Sequence, residues 1–165
     1  MDATDIKNLL VKIDDSFKEE SDNHKAWLWA KMATLEASGW AEECIEDLLT
    51  SCIDQLGLRR KQQLLDKIKK NHGFHYSANF KDICVQILGN IIFEKIEDKI
   101  PNECQHLESA LNELKTNRDR CAHTHVLNAG STEAPHISLS YLEKIDIGLK
   151  KFMDELGKME IFQET

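Results

Sequence analysis

Apolar residues in this chain recur at intervals of three and four, and nowhere do they alternate with polar ones long enough to build a sheet, so the pattern predicts helix throughout. A first amphipathic helix begins near Thr4 or Asp5 and carries Ile6, Leu9, Leu10, Ile13 and Phe17 ahead of the polar stretch 19–23. A longer segment from about Lys25 to Leu56 follows, with Trp27, Leu28, Leu35, Trp40, Ile45, Leu48, Leu49 and Ile53; Ser38-Gly39 is the point where it would kink or divide. Gly57 reads as a stop, and Arg59 to Lys70 as a short basic helix with Leu64, Leu65 and Ile68 inward. After a loop from Asn71 to Ala78, Asn79 is the expected cap of a helix holding Phe80, Ile83, Cys84, Ile87 and Leu88, and Ile91, Ile92, Phe93 and Ile96 continue beyond Gly89-Asn90. Pro101 opens an element with Leu107, Leu111 and Leu114. Asn128 to Pro135 is the clearest loop, and Ser140-x-x-Glu143 is the expected capping box of a last helix with Leu142, Ile145, Leu149, Phe152, Met153 and Leu156. The expectation is an all-α bundle of about five to seven helices in one domain over residues 1–165, since this length holds one sizeable core.

Composition narrows the function. A net charge of -8 argues against nonspecific coating of nucleic acid and leaves room only for a local basic site. Five cysteines, at 44, 52, 84, 104 and 121, fit no paired framework and no C-x-x-C spacing, so they read as reduced thiols, mostly in the core. Without a long apolar run or a basic leader, the expected location is the cytoplasm, with no membrane partner. Neither the pair His72 and His75 nor the trio Cys121, His123 and His125 supplies four ligands at a zinc spacing, so neither metal nor cofactor is expected.

The stretch Asn117-Arg118-Asp119-Arg120-Cys121-Ala122-His123 carries the chemistry. A permanently charged guanidinium and an imidazole that titrates near neutral pH are what phosphodiester cleavage without a metal requires. On an ideal helix the five residues from Arg118 to His123 rotate by about 500°, leaving the two side chains roughly 140° apart. Either a bend or helix end near Cys121 brings them together, or a second copy does so across a two-fold axis.

The run Leu114 to His123, late in a helical chain, resembles the R-x(4-6)-H signature of HEPN domains, with Asp119 in the place of the polar residue that commonly follows the arginine. Ser38 to Leu49 is similar to the acidic helix that precedes the motif in RiboL-PSP-type members, and the layout from about residue 25 to 157 matches theirs, with the motif region at about 107–127 and helix 4–18 as an extension. The resemblance implies a metal-independent endoribonuclease in which two protomers form one cleft and the 2'-hydroxyl of the RNA attacks its own phosphate. His123 would be the general acid/base, Arg118 would stabilise charge on the phosphorane, and Asp119 would orient one of them. Glu42 or Glu43 would touch the centre. The tyrosine that some HEPN toxins carry two residues beyond the histidine is here His125, which departs from the pattern needed for regulation through that tyrosine and leaves His125 a secondary candidate for proton transfer, a solvent-facing or capping histidine being the plainer account.

Lys115 and Arg120 beside the motif, and Arg59 and Arg60 in the densest basic segment, are candidate RNA contacts; an ordinary solvated face is the plainer account of that segment. Arg118-Asp119-Arg120 could instead offset a helix dipole, a reading that ranks below the motif, and Glu42, Glu43 and Glu46 could form an exposed acidic face. Trp27, Trp29 and Trp40 span both faces of their helix, so at least one is expected exposed or in an interface. Two functional classes follow: an RNA-cleaving toxin or antiphage effector acting on tRNA, mRNA or rRNA as a homodimer under a regulatory or antitoxin partner, and a noncatalytic module binding RNA or protein. A helical scaffold is a third.

Overall fold

The computed structural model describes residues 2–56, 61–71, 73–123 and 132–159, and among them the chain is helical without a strand. The helices are α1 (Thr4–Glu19), α2 (Asn23–Leu56), α3 (Lys61–Lys70), α4 (Asp82–Leu88), α5 (Asn90–Lys99), α6 (Pro101–His123) and α7 (Pro135–Gly157), with a π-helical turn, Tyr76–Lys81, leading into α4. The all-α expectation holds. Helix α2 runs unbroken past Ser38-Gly39: the Ser38 hydroxyl is buried and satisfied by the Thr34 carbonyl at 2.7 Å, so the pair costs the helix little.

Two helix starts differ from the sequence expectation. Asn79 caps nothing at its own position; it lies inside the π turn, whose cap is His75, with Nδ1 accepting from the Ala78 N–H while Asn79 Oδ1 accepts from the His75 N–H at 3.0 Å. Ser140 and Glu143 likewise lie inside α7, which opens at Pro135, and the Asp14 carboxylate of α1 accepts from the His136 N–H at 3.1 Å. A distant carboxylate that satisfies an orphan amide does the work expected of a local box. Gly57, Arg59 and Arg60 lie outside the described residues, so the basic helix is seen only from Lys61.

Phe80, Phe93 and Phe152 meet at ring distances of 5.3 to 6.3 Å in one core. Helices α6 and α7 lie close together at Gly148, where an added Cβ would stand 2.8 Å from the Leu107 Cβ. Buried carboxylates tie α1 down. Asp146 of α7 bonds Lys7 Nζ and ion-pairs with Lys150 Nζ, both at 2.8 Å; burial pushes its carboxyl up, but the two lysines outweigh this and hold it below the ordinary range. All five cysteines are buried free thiols, as expected, with Cys44 and Cys52 pushed by burial up to about 12. Trp27 is buried, and Trp29 and Trp40 are half-buried, so the expected exposed tryptophan is absent from the single chain. No helix among the described residues is long and apolar enough to cross a membrane.

Candidate functional site

Helix α6 continues through Cys121 and ends at His123, two residues on, so Arg118 and His123 stand on one helix whose end lies near Cys121. Cys121 turns inward, its thiol raised by burial and facing Thr34 and Lys31 of α2, while His123 is exposed at the last helical position. Of the trio Cys121, His123 and His125, the first two thus differ in exposure. The remaining member, His125, lies outside the described residues, as does His72 of the other pair.

Arg118 reaches from α6 toward α2. Its guanidinium lies over the fully buried Phe74 ring at 5.5 Å, with Nη1 3.6 Å from Glu42 Oε1 and Nε 3.2 Å from Asp119 Oδ1, a contact without the alignment of a hydrogen bond. The side chain keeps 26 % of its surface exposed. Among the described residues no acceptor comes within hydrogen-bonding geometry of it, so the fork is positioned by charge and by an aromatic face while its donors stay uncommitted. Glu42 is the acidic residue of α2 that touches the motif, whereas Glu43 and Glu46 are exposed and do not.

Asp119 is bound on its other oxygen by Lys115 Nζ at 2.5 Å. That bond holds its carboxyl below the ordinary range against the opposing effect of burial, with smaller contributions from the charges of Lys115, Arg118 and His123. Lys115, Asp119 and His123 follow one another at i, i+4 along one face, so the carboxylate stands between a cation and the imidazole. Arg118 and His123 make no contact within the chain among the described residues. Arg120 is exposed beside them and is not without a partner.

Four contributors were missed in the sequence: Asn117, Glu133, Tyr141 and Phe74. Asn117, buried, donates through Nδ2 to Glu133 Oε2 at 2.6 Å, and the Tyr141 hydroxyl donates to the same oxygen at 3.2 Å. Burial first, and then Glu133, push the phenol up to about 12. This set pins the end of α6 to the start of α7. Asn117 was legible as a polar residue at the inward position three after Leu114; Phe74, an aromatic two residues before Tyr76 in a mostly polar stretch, gave a weaker signal; Glu133 and Tyr141 gave none. No family model, no curated protein and no solved structure matches this chain.

Proposed function

We propose that this chain is a metal-independent endoribonuclease whose cleft is completed by a second protomer, acting as a toxin or antiphage effector under a partner protein. The observation that carries the reading is the state of Arg118: held over Phe74, part-exposed, and with its terminal donors uncommitted. A planar fork in that condition suits bidentate binding of a phosphate, and its charge would rise in value as negative charge builds on the phosphorane. His123 is exposed and stands one turn beyond Asp119, so its ring can reach a substrate while the carboxylate biases its orientation. In cleavage His123 takes the proton of the attacking 2'-hydroxyl as its oxygen bonds to phosphorus, and the departing 5'-oxygen takes a proton from the resulting imidazolium or from water as its bond to phosphorus breaks, which yields a 2',3'-cyclic phosphate and a 5'-hydroxyl. Lys115 and Arg120 extend the cationic surface along α6.

A second reading has an observation of its own. Glu42 and Asp119 flank Arg118, and two carboxylates beside one guanidinium are also what a noncatalytic module needs to fix a helix end. The two readings part in one assay. Purified protein is incubated with labelled tRNA and single-stranded RNA in EDTA, beside Arg118→Ala and His123→Ala, and the new 3' ends are identified. Cyclic-phosphate ends lost in both folded variants support the ribonuclease; absence of cleavage by the wild-type dimer, freed of any bound inhibitor, sinks it in favour of the binding module.

A further inference from the structure

The second half of α2 is covered by α3 and α4, with Leu48, Leu49, Cys52 and Ile53 buried, but among the described residues no helix covers one face of its first half, where Glu20 borders only the Lys25 end. Leu28 is 50 % exposed and Leu35 40 %, Met32 is half-buried between them, and Gly39 is exposed with open space where a Cβ would stand. At about 100° per residue these four fall within roughly 60° of one another, a narrow apolar strip with a flat end at Gly39. Beside the strip at its start is Lys25, and beside it at its end is Glu43. The eighteen residues between them are five full turns of about 3.6 residues, so both charges lie on the same flank, about 60° from Leu28. Both are exposed, and among the described residues neither makes an ion pair within its own chain. The midpoint of Lys25 and Glu43 is Thr34, and the strip from Leu28 to Gly39 is centred beside that same residue.

We infer that a second copy of this chain packs antiparallel on this face of α2, on a two-fold axis beside Thr34, with Lys25 of each protomer paired to the partner's Glu43. A two-fold axis at that point maps the apolar strip onto itself and each Lys25 onto the opposite acid, and these two pairings must outweigh the approach of the two exposed Glu36 side chains, which share the flank and lie two residues from the axis. Leu28 meets the partner's Gly39, so the missing side chain lets the helices approach.

The flank of α2 opposite Lys25 carries α6. Arg118 lies level with Glu42, and Cys121 level with Thr34 and Lys31, so α6 runs antiparallel to α2. The axis keeps both copies of α6 on one side of the seam. Arg118 stands on one side of the axis and the His123 end on the other, so the symmetry carries the partner's His123 to the side on which Arg118 lies. The surface and its register stand on α2 alone; only the use of this meeting for RNA cleavage rests on the ribonuclease reading.

The test is sedimentation equilibrium of the full chain, with circular dichroism to show that each variant is folded. The wild type is expected to be dimeric. Leu35→Lys, at an exposed position, should weaken the dimer by about tenfold or more. Lys25→Glu and Glu43→Lys should each weaken it roughly three- to tenfold, because each replaces two attractions with two repulsions, while the double variant recovers wild-type affinity to within about twofold. A monomeric wild type, or a dimer indifferent to Leu35→Lys, overturns the seam, and a double variant no better than the single ones overturns the register. A seam that behaves as stated in a protein that cleaves no RNA removes the ribonuclease and leaves the interface standing.

Discussion

Along α6 the surroundings change at Asn117. From Cys104 to Leu114 the inward positions are apolar and packed on α7, with Leu107, Leu111 and Leu114 fully buried and Gly148 pressed against Leu107. From Asn117 to His123 the inward positions hold a bonded amide and a thiol, and the outward ones hold the cations and carboxylates of the candidate site. The first part is secured by area removed from water, which needs only shape; the second is secured by individual partners, which fix direction. One helix thus offers rigidity at its start and aimed, partly exposed charges at its end.

The sharpest break between the two parts is a crossed pair of substitutions. Leu111→Ala removes a fully buried side chain and should cost about 2–5 kcal/mol in chemical denaturation, while the fraction still folded cleaves RNA as before. Arg118→Ala should leave the denaturation midpoint almost unmoved and lower cleavage by about a hundred- to a thousandfold, the usual effect of losing one oxyanion-type donor. If Arg118→Ala unfolds the protein instead, the end of α6 is structural and the contrast collapses. Next in size is complementation. Inactive Arg118→Ala mixed with inactive His123→Ala should regain up to about half of the activity in the mixed dimers, because one of the two shared clefts then has both groups. No recovery after verified subunit exchange would mean that each site is built within one chain.

The apolar part was legible in the sequence because it depends on period alone: Leu107, Leu111 and Leu114 announced an inward stripe and Pro101 its start. At the polar end the residue types were legible and their partners were not. Arg118 and His123 could be named, but Phe74 and Glu42, which position Arg118, come from a loop and a helix far away in sequence. The same limit misplaced the start of α7. Ser140-x-x-Glu143 satisfies a local rule, yet Asp14 caps the helix five residues earlier across the bundle.

That distant cap and its neighbour give a pH test. Asp14 and Asp146 are buried carboxylates whose lysine partners, and for Asp14 also the His136 amide, hold them below their ordinary value of 3.8 despite the opposing effect of burial. A depressed folded-state value means that their stabilisation is complete above the unfolded-state value and is lost as pH falls through the folded one. Stability should therefore drop below about pH 4, and Asp146→Asn should show a smaller drop than the wild type, with a cost at neutral pH of roughly 1–3 kcal/mol. An acid limb identical in the variant would show that Asp146 contributes nothing to it. Leu111→Ala, which touches none of these carboxylates, should leave the shape of this limb unchanged.

The smallest effect separates packed surface from unpartnered surface. Gly148 and Gly39 both sit inside long helices, where alanine is worth about 1 kcal/mol more than glycine by propensity alone. At Gly148 the new methyl would stand 2.8 Å from the Leu107 Cβ, an atom too near its own backbone to swing aside. The overpacking cost of about 1–3 kcal/mol then exceeds the propensity gain, and Gly148→Ala should be a net loss of about 1 kcal/mol. At Gly39 nothing lies within 4 Å of the added carbon. Measured in the Leu35→Lys background, where the proposed seam does not contribute, Gly39→Ala should be a gain of about 0.5–1 kcal/mol. With Leu35 restored, the same methyl lies between two copies of α2, and the gain in folding should be offset by a weaker dimer. Opposite signs at the two glycines, with the Gly39 benefit reduced only when the seam is intact, would tie the open space on α2 to the second copy; a benefit equal in both backgrounds would detach it.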